Sequence, residues 1–282
     1  MSSFVNINGA LIPEEEASLP ATSRALSYGD GCFETLVSYK GKFLHFEDHF
    51  ARLQSGLKYL EMNLDLTIDQ LKSEVQKLLE ENVIEDENSV IRIQCYREGH
   101  SGYFDISDRS GFIISNRSIP ERSESIKLKT VSIPTIPSIA LERKVKLSNS
   151  INYIKAAQEA KKKGGDDALI LTIDRKISET CISNIFWIKA NQVFTPSVNC
   201  DLLPGVARSI LIKLIDQDSE LQLIEGAFGL EDIYSAEAVF CTNSVMEMKS
   251  VSSVDDHLYK TEHSVFEKLK DDFKVYKEKR LC

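Results

Sequence analysis

The polar stretch from Asn116 to Ser125 constrains the fold of this chain more than any other feature, because it carries a proline and lacks both helical and strand periodicity. Such a segment cannot enter a core, and patterned sequence lies on both sides of it, so it reads as a linker between two domains. The expected division is a small α+β domain over residues 1–118, a linker over 119–125 and a larger C-terminal domain over 126–282 that carries a key lysine. With 282 residues, 42% of them hydrophobic and 27% charged, the chain has enough apolar surface to fill two cores.

On the N-terminal side, Asn8-Gly9 marks a hairpin, and a strand over Cys32 to Tyr39 meets a Lys40-Gly41 turn and a second strand through Phe43 to Phe46. Helices follow. Phe50, Leu53, Leu57 and Leu60 form one stripe between Glu47 and Met62, and Thr67 with Gln70 forms a capping box ahead of Leu71, Val75, Leu78 and Leu79. Strands are expected at Val90 to Gln94 and Gly111 to Ser115. On the C-terminal side the pattern predicts strands at Ile126–Ile133, Ala168–Thr172, Asn184–Ala190 and Ala238–Thr242, with helices at Asn149–Lys163, from Gly205 and from about Glu262.

A formal charge of -9 argues against nucleic acid and anionic membranes as partners, and the one basic run, Lys161-Lys162-Lys163, falls at the C-terminal end of a predicted helix where cations suit the dipole. No apolar stretch approaches the length of a membrane span. The six cysteines show no paired spacing and residues 1–20 lack a basic start followed by an apolar run, so reduced thiols and a cytoplasmic protein are expected. The five histidines have no ligand spacing, and no metal site is expected.

Two charged residues in unusual company carry the chemistry. Lys146 lies in Val-Lys-Leu-Ser-Asn before a predicted helix, and Glu179 lies in a run with Thr180, Cys181, Ser183 and Asn184, small polar neighbours suited to surrounding a ligand. A lysine amine able to lose its proton, paired with a carboxylate, is what pyridoxal phosphate chemistry requires: the amine forms a Schiff base and the acid keeps the ring nitrogen protonated. Taken alone, Lys146 reads as a surface charge, as isolated lysines near a helix start almost always are, and Lys144 competes with it because both would point the same way from an extended segment. A phosphate cradle is offered by Leu203-Pro204-Gly205-Val206-Ala207-Arg208, where the amides of Val206 and Ala207 would open a helix, and by the turn at Thr242-Asn243-Ser244. Arg52 can supply positive charge.

These pieces occur in a set order. Ser27 to Thr35, His49 to Leu53, Val145 to Asn149, Ser178-Glu179 through Phe186, Thr195-Pro196 and Gly205 to Arg208 together resemble the class IV, or fold-type IV, pyridoxal phosphate enzymes over nearly the whole chain. That group includes branched-chain and D-amino acid transaminases and aminodeoxychorismate lyase. The resemblance implies a two-domain α+β/α/β fold like that of D-amino acid transaminase, with pyridoxal 5'-phosphate between the domains of a homodimer. It implies that Lys146, not Lys144, carries the Schiff base and moves a proton at the substrate, that Glu179 pairs with the pyridine nitrogen, and that Arg52, Val206, Ala207 and Ser244 hold the phosphate. Phe33, Arg97, His100 and Tyr103 stand where substrate is bound in relatives.

The substrate is less legible. The tyrosine that branched-chain transaminases place five residues after the lysine is Ile151 here, and the segment Arg97 to Tyr103 does not reproduce the Arg-x-His pair of D-amino acid transaminases. Gly29 to Phe33, Glu179 to Trp187 and Cys241 to Met246 look closest to aminodeoxychorismate lyase, although the glycine-rich arginine segment of that pattern, at Arg97 to Tyr103, and its proline near Lys249 to Val251 are missing. Three readings follow: a transaminase acting on an amino acid and a 2-oxo acid, a lyase releasing pyruvate and 4-aminobenzoate in folate synthesis, and a non-catalytic relative that keeps the fold to bind. The intact Lys146 and Glu179 argue against the last.

Overall fold

The computed structural model describes residues 3–82, 88–99, 102–104, 107–121 and 123–281. It divides into two compact units, one running up to Pro120 and including Val145–Asn149, the other comprising Glu121–Lys144 and Ser150–Arg280.

In the first unit, β1 (Phe4–Ile7) and β2 (Ala10–Pro13) are joined at Asn8 and Gly9, both with positive φ, the geometry of a two-residue hairpin. A short α1 (Arg24–Tyr28) leads into β3 (Gly31–Tyr39), which turns at Lys40-Gly41 into β4 (Lys42–Phe43). The second strand was expected to reach Phe46. Instead His45 takes φ 55°, which breaks the extended run, and Phe46 opens α2 (Phe46–Tyr59) with Glu47 and Asp48 in the first turn. Then come α3 (Ile68–Glu81), β5 (Asn88–Arg97) and β6 (Ser110–Ser118). The strands form a sheet in the order β2-β1-β6-β5-β3-β4, every pair antiparallel. The stripes read from the sequence are its core: Leu53, Leu57, Leu71, Val75 and Leu78 are all buried.

The second unit begins with β7 (Ser125–Thr130) and continues through α4 (Ile151–Lys162), β8 (Asp167–Leu171), β9 (Ile177–Thr180), β10 (Asn184–Lys189) and β11 (Gln192–Pro196). It is completed by α5 (Val206–Asp216), β12 (Gln222–Gly226), α6 (Leu230–Tyr234), β13 (Ala238–Asn243), β14 (Glu247–Val254), β15 (His257–Leu258) and α7 (Ser264–Leu281). Its sheet runs β12-β11-β10-β13-β14-β7-β8-β9, with β15 on β14. Trp187 is fully buried, stacked on Phe194 and edge-on to Phe228 at 5.9 and 5.0 Å between ring centres. The strands absent from the sequence reading include β9 and β14, which bury Ser178, Glu179, Thr180, Lys249, Ser250 and Ser253. Polar residues inside a sheet leave no hydropathy signal. Among the described residues no helix is long and apolar enough to cross a membrane.

Candidate active site

The lysine segment is held by β3. β4 pairs only with Ser38 and Tyr39, and the opposite end of β3 takes Val145–Asn149 along its edge through an antiparallel bridge between Cys32 and Leu147. The Phe33 N–H donates to the Lys146 carbonyl and the Ser148 N–H to the Gly31 carbonyl, each at 2.9 Å. Gln94 on β5 donates to the Ser148 hydroxyl at 2.5 Å and to the Cys32 carbonyl at 3.3 Å. These bonds explain why the lysine groups with the first unit, although its sequence neighbours on both sides belong to the second. They also separate the two candidate lysines. The chain bends at residues 143–145, so the alternation of an extended strand does not apply: Lys144 is exposed, whereas Lys146 is half-buried with Nζ 4.7 Å from the centre of the Phe33 ring. Arg92 of β5 lies against the same ring at 3.7 Å, a cation that the sequence reading did not select.

Strand alternation turns Glu34 to the other face of β3, where it is buried. The i,i+3 spacing on α2 sets His49 and Arg52 side by side against it. Arg52 clasps the carboxylate with Nε on one oxygen at 2.7 Å and a second guanidinium nitrogen on the other at 2.8 Å, while His49 Nδ1 lies 2.7 Å from it. Burial pushes the Glu34 carboxyl up, but the charge and hydrogen bonds of Arg52, with those of His49, bring it down to about 2. Cys32, Glu34 and Leu36 alternate inward, and that period was the signal by which Glu34 could have been found.

Arg97, expected at a substrate carboxylate, is buried with its guanidinium donating to Asp30 at 2.9 Å and to the carbonyls of Ser107 and Leu60. Arg24 also pairs with Asp30, at 2.7 Å. The geometry gives Arg97 a scaffold part, tying β5 to the Gly29-Asp30-Gly31 turn. Tyr103 is exposed, with its ring 5.2 Å from that of Tyr28. His100 lies outside the described residues.

In the second unit three segments converge by hydrogen bonds. Glu179, 4% exposed, accepts the Leu203 N–H at 3.0 Å and the Tyr153 hydroxyl at 2.5 Å. Asn184, at the start of β10, donates to the Leu203 carbonyl at 2.8 Å and accepts the Gly205 N–H at 3.1 Å, which seats the loop that opens α5. Glycine at 205 leaves room for this contact: a Cβ there would fall 2.4 Å from Asn184 Oδ1, so the amide would have to shift. No side chain caps α5 at this end, where the amides of Val206 and Ala207 open the helix. Asn184 pairs in register with Thr242, and the neighbouring Asn243 accepts the Val245 and Met246 N–H groups at 2.9 and 2.7 Å, closing the turn that holds Ser244. Asn243 also donates to Ser183 Oγ at 2.9 Å. Glu179, Val206, Ala207 and Ser244 therefore belong to one bonded assembly within the unit.

Residues 31–254 match the family model for amino-transferase class IV. The chain belongs to the class IV aminotransferase family. It is similar to the aminodeoxychorismate lyase of Bacillus subtilis, at 28% identity across 91% of this chain and 88% of the relative. It is equally similar to the D-alanine aminotransferase of Staphylococcus epidermidis, at 28% identity across 89% of each chain. The crystal structure of the branched-chain aminotransferase of Thermoproteus uzoniensis with norvaline superposes with a TM-score of 0.92 at 23% identity, covering 99% of this chain and 96% of that one. The two-domain fold of the family is therefore the fold of this enzyme.

Class IV aminotransferases depend on pyridoxal phosphate, and the donor set of this family member suits that group. The uncapped helix start, the glycine whose missing Cβ leaves room at the loop, and the Ser244 turn offer amides and a hydroxyl to a phosphate. The buried carboxylate of Glu179 is of a kind that would suit a protonated pyridine nitrogen.

Proposed function

We propose that this class IV aminotransferase moves an amino group between an amino acid and a 2-oxo acid, with Lys146 as the residue whose amine would hold the cofactor and move the proton. The reading is supported above all by the family match over residues 31–254, which contains both Lys146 and Glu179. Bound pyridoxal phosphate supplies an aldehyde for the amine and a ring that withdraws electrons. The protein's own residues do the rest. Lys146 Nζ would take the proton from the substrate α-carbon and deliver it on the cofactor side of the transferred nitrogen. Glu179 would hold the ring nitrogen protonated. Arg52, Val206, Ala207 and Ser244 would bind the phosphate, with Glu34, itself held by His49, orienting Arg52. Phe33 borders the amine of Lys146, with Arg92 against the same ring, and would contact the reacting substrate; Arg97, His100 and Tyr103 are the further candidates for substrate contact.

A second reading is elimination of pyruvate from aminodeoxychorismate, favoured by the Bacillus subtilis relative, which carries that name. The deciding experiment mixes cofactor-loaded protein with single amino acids in the absence of any oxo acid and follows the cofactor's visible absorbance. Loss of the absorbance with one class of amino acid, abolished in Lys146→Ala, is the expected result. No change with any amino acid, together with pyruvate released from aminodeoxychorismate, would replace transamination by the lyase reading. The further proposals of a homodimer and a cytoplasmic location draw on the family resemblance and on the free thiols of Cys32, Cys95, Cys181, Cys200 and Cys241. Light scattering of the purified enzyme and fractionation of its host cells test them.

A further inference from the structure

Two residues that the proposed function leaves without a role surround Glu179. Tyr153, in the first turn of α4, donates its hydroxyl proton to Glu179 Oε1 at 2.5 Å. Arg143, in the bend that precedes the lysine, donates from its guanidinium to the same hydroxyl oxygen, and a guanidinium nitrogen lies 3.5 Å from Glu179 Oε1. Both charged groups are buried, Arg143 at 7% and Glu179 at 4% exposure, and Arg143 Nε has no hydrogen-bond partner among the described residues. A guanidinium placed so deep requires an anion beside it, and Glu179 is that anion. A tyrosine hydroxyl that accepts from a cation becomes a stronger donor through the other end of the same chain of bonds.

We propose that Tyr153 and Arg143 are positioning residues that hold Glu179 as an ionised carboxylate in one orientation, so that the proton shared with the cofactor's pyridine nitrogen rests on the ring. The proposal rests on the assignment of Glu179 to that nitrogen. A hydroxyl donor and a neighbouring cation both favour the charged carboxylate, and a less basic carboxylate leaves the proton on the nitrogen. The Leu203 N–H fixes the second oxygen at 3.0 Å, so the carboxylate plane cannot turn. The tyrosine is the hinge of the arrangement, because without its hydroxyl Arg143 and Glu179 face each other across 3.5 Å with no shared donor. Helical geometry makes this local: a side chain in the first turn of α4 points back over the turn that precedes it.

The test loads the full-length enzyme with pyridoxal phosphate carrying ¹⁵N in the ring and reads the nitrogen chemical shift, alongside the dissociation constant of the cofactor from the apoenzyme. Tyr153→Phe keeps the ring in place and is expected to move the shift part of the way from protonated toward neutral pyridine, and to weaken cofactor binding roughly tenfold, the scale of one hydrogen bond to a charged group. Arg143→Met is expected to do the same and Arg143→Lys to restore much of it. Wild-type shifts and affinities in Tyr153→Phe and Arg143→Met, while Glu179→Gln moves both readouts, would overturn the positioning role and leave the assignment of Glu179 standing. If Glu179→Gln leaves the ring shift unchanged, that assignment fails and the proposal fails with it. Should Arg143→Met not fold, Tyr153→Phe decides between these outcomes by itself.

Discussion

Glu34 illustrates how much one buried side chain can control. Held near 2 by Arg52 and His49 against the cost of its burial, it stabilises the folded state as a carboxylate. Because its folded value is depressed, that stabilisation is complete above the ordinary glutamate range and is lost as pH falls from about 4.5 toward 2. The shift corresponds to about 3 kcal/mol. Urea unfolding at pH 7, 4.5 and 3 should show wild type losing stability over that interval. Glu34→Gln should be weaker at pH 7 by about 3 kcal/mol, with a flatter response to acid, since one partner of a buried pair has been removed; an equal acid slope in both proteins would rule the carboxylate out. At this scale the sequence was partly legible. Lys146 and Glu179 stood out through their neighbours, but spacing could not separate Lys146 from Lys144, because what sets Lys146 apart is the bonding of its segment to a strand more than a hundred residues away.

Elements with a local cause were read directly. The capping box at α3 forms as expected, with Gln70 N–H donating to the Thr67 hydroxyl and Gln70 Oε1 accepting the Thr67 N–H. Thr67→Ala should lower stability by about 1 kcal/mol, seen as a reduced denaturation midpoint with unchanged slope. The start of β3 depends instead on a neighbour: a Cβ on Gly31 would lie 2.2 Å from the Cys95 carbonyl oxygen of β5. That contact is with backbone, which cannot step aside, so Gly31→Ala should cost about 3 kcal/mol, at the upper end for overpacking. It should also disturb the lysine segment, since the Gly31 carbonyl accepts the Ser148 N–H. Calorimetry gives the first effect, and borohydride labelling of Lys146 in the cofactor-loaded protein gives the second. Unaltered labelling in a destabilised variant would separate the two. β9 and β14 had no such local signature, because their polar residues are buried by partners that only the assembled sheet supplies.

At the scale of the molecule, a net charge of -9 predicts binding to an anion exchanger and no retention on heparin at pH 7.5 and roughly 0.1 M salt. Retention at that salt would reveal a basic patch strong enough to override the total. The chain's own pattern determined its class: which stretches are helix or strand, that two cores are filled, and which ordered landmarks make it a class IV aminotransferase. These follow from periodicity, turn chemistry and motif order, all of which act over short separations. Only the tertiary structure decided that the lysine segment pairs with β3, that Arg97 is tied to Asp30 and backbone carbonyls, and that Tyr153 and Arg143 gather around Glu179. Those outcomes depend on which edge or buried charge is left to be satisfied once the sheets have formed, and that is a property of the packed chain rather than of any stretch within it.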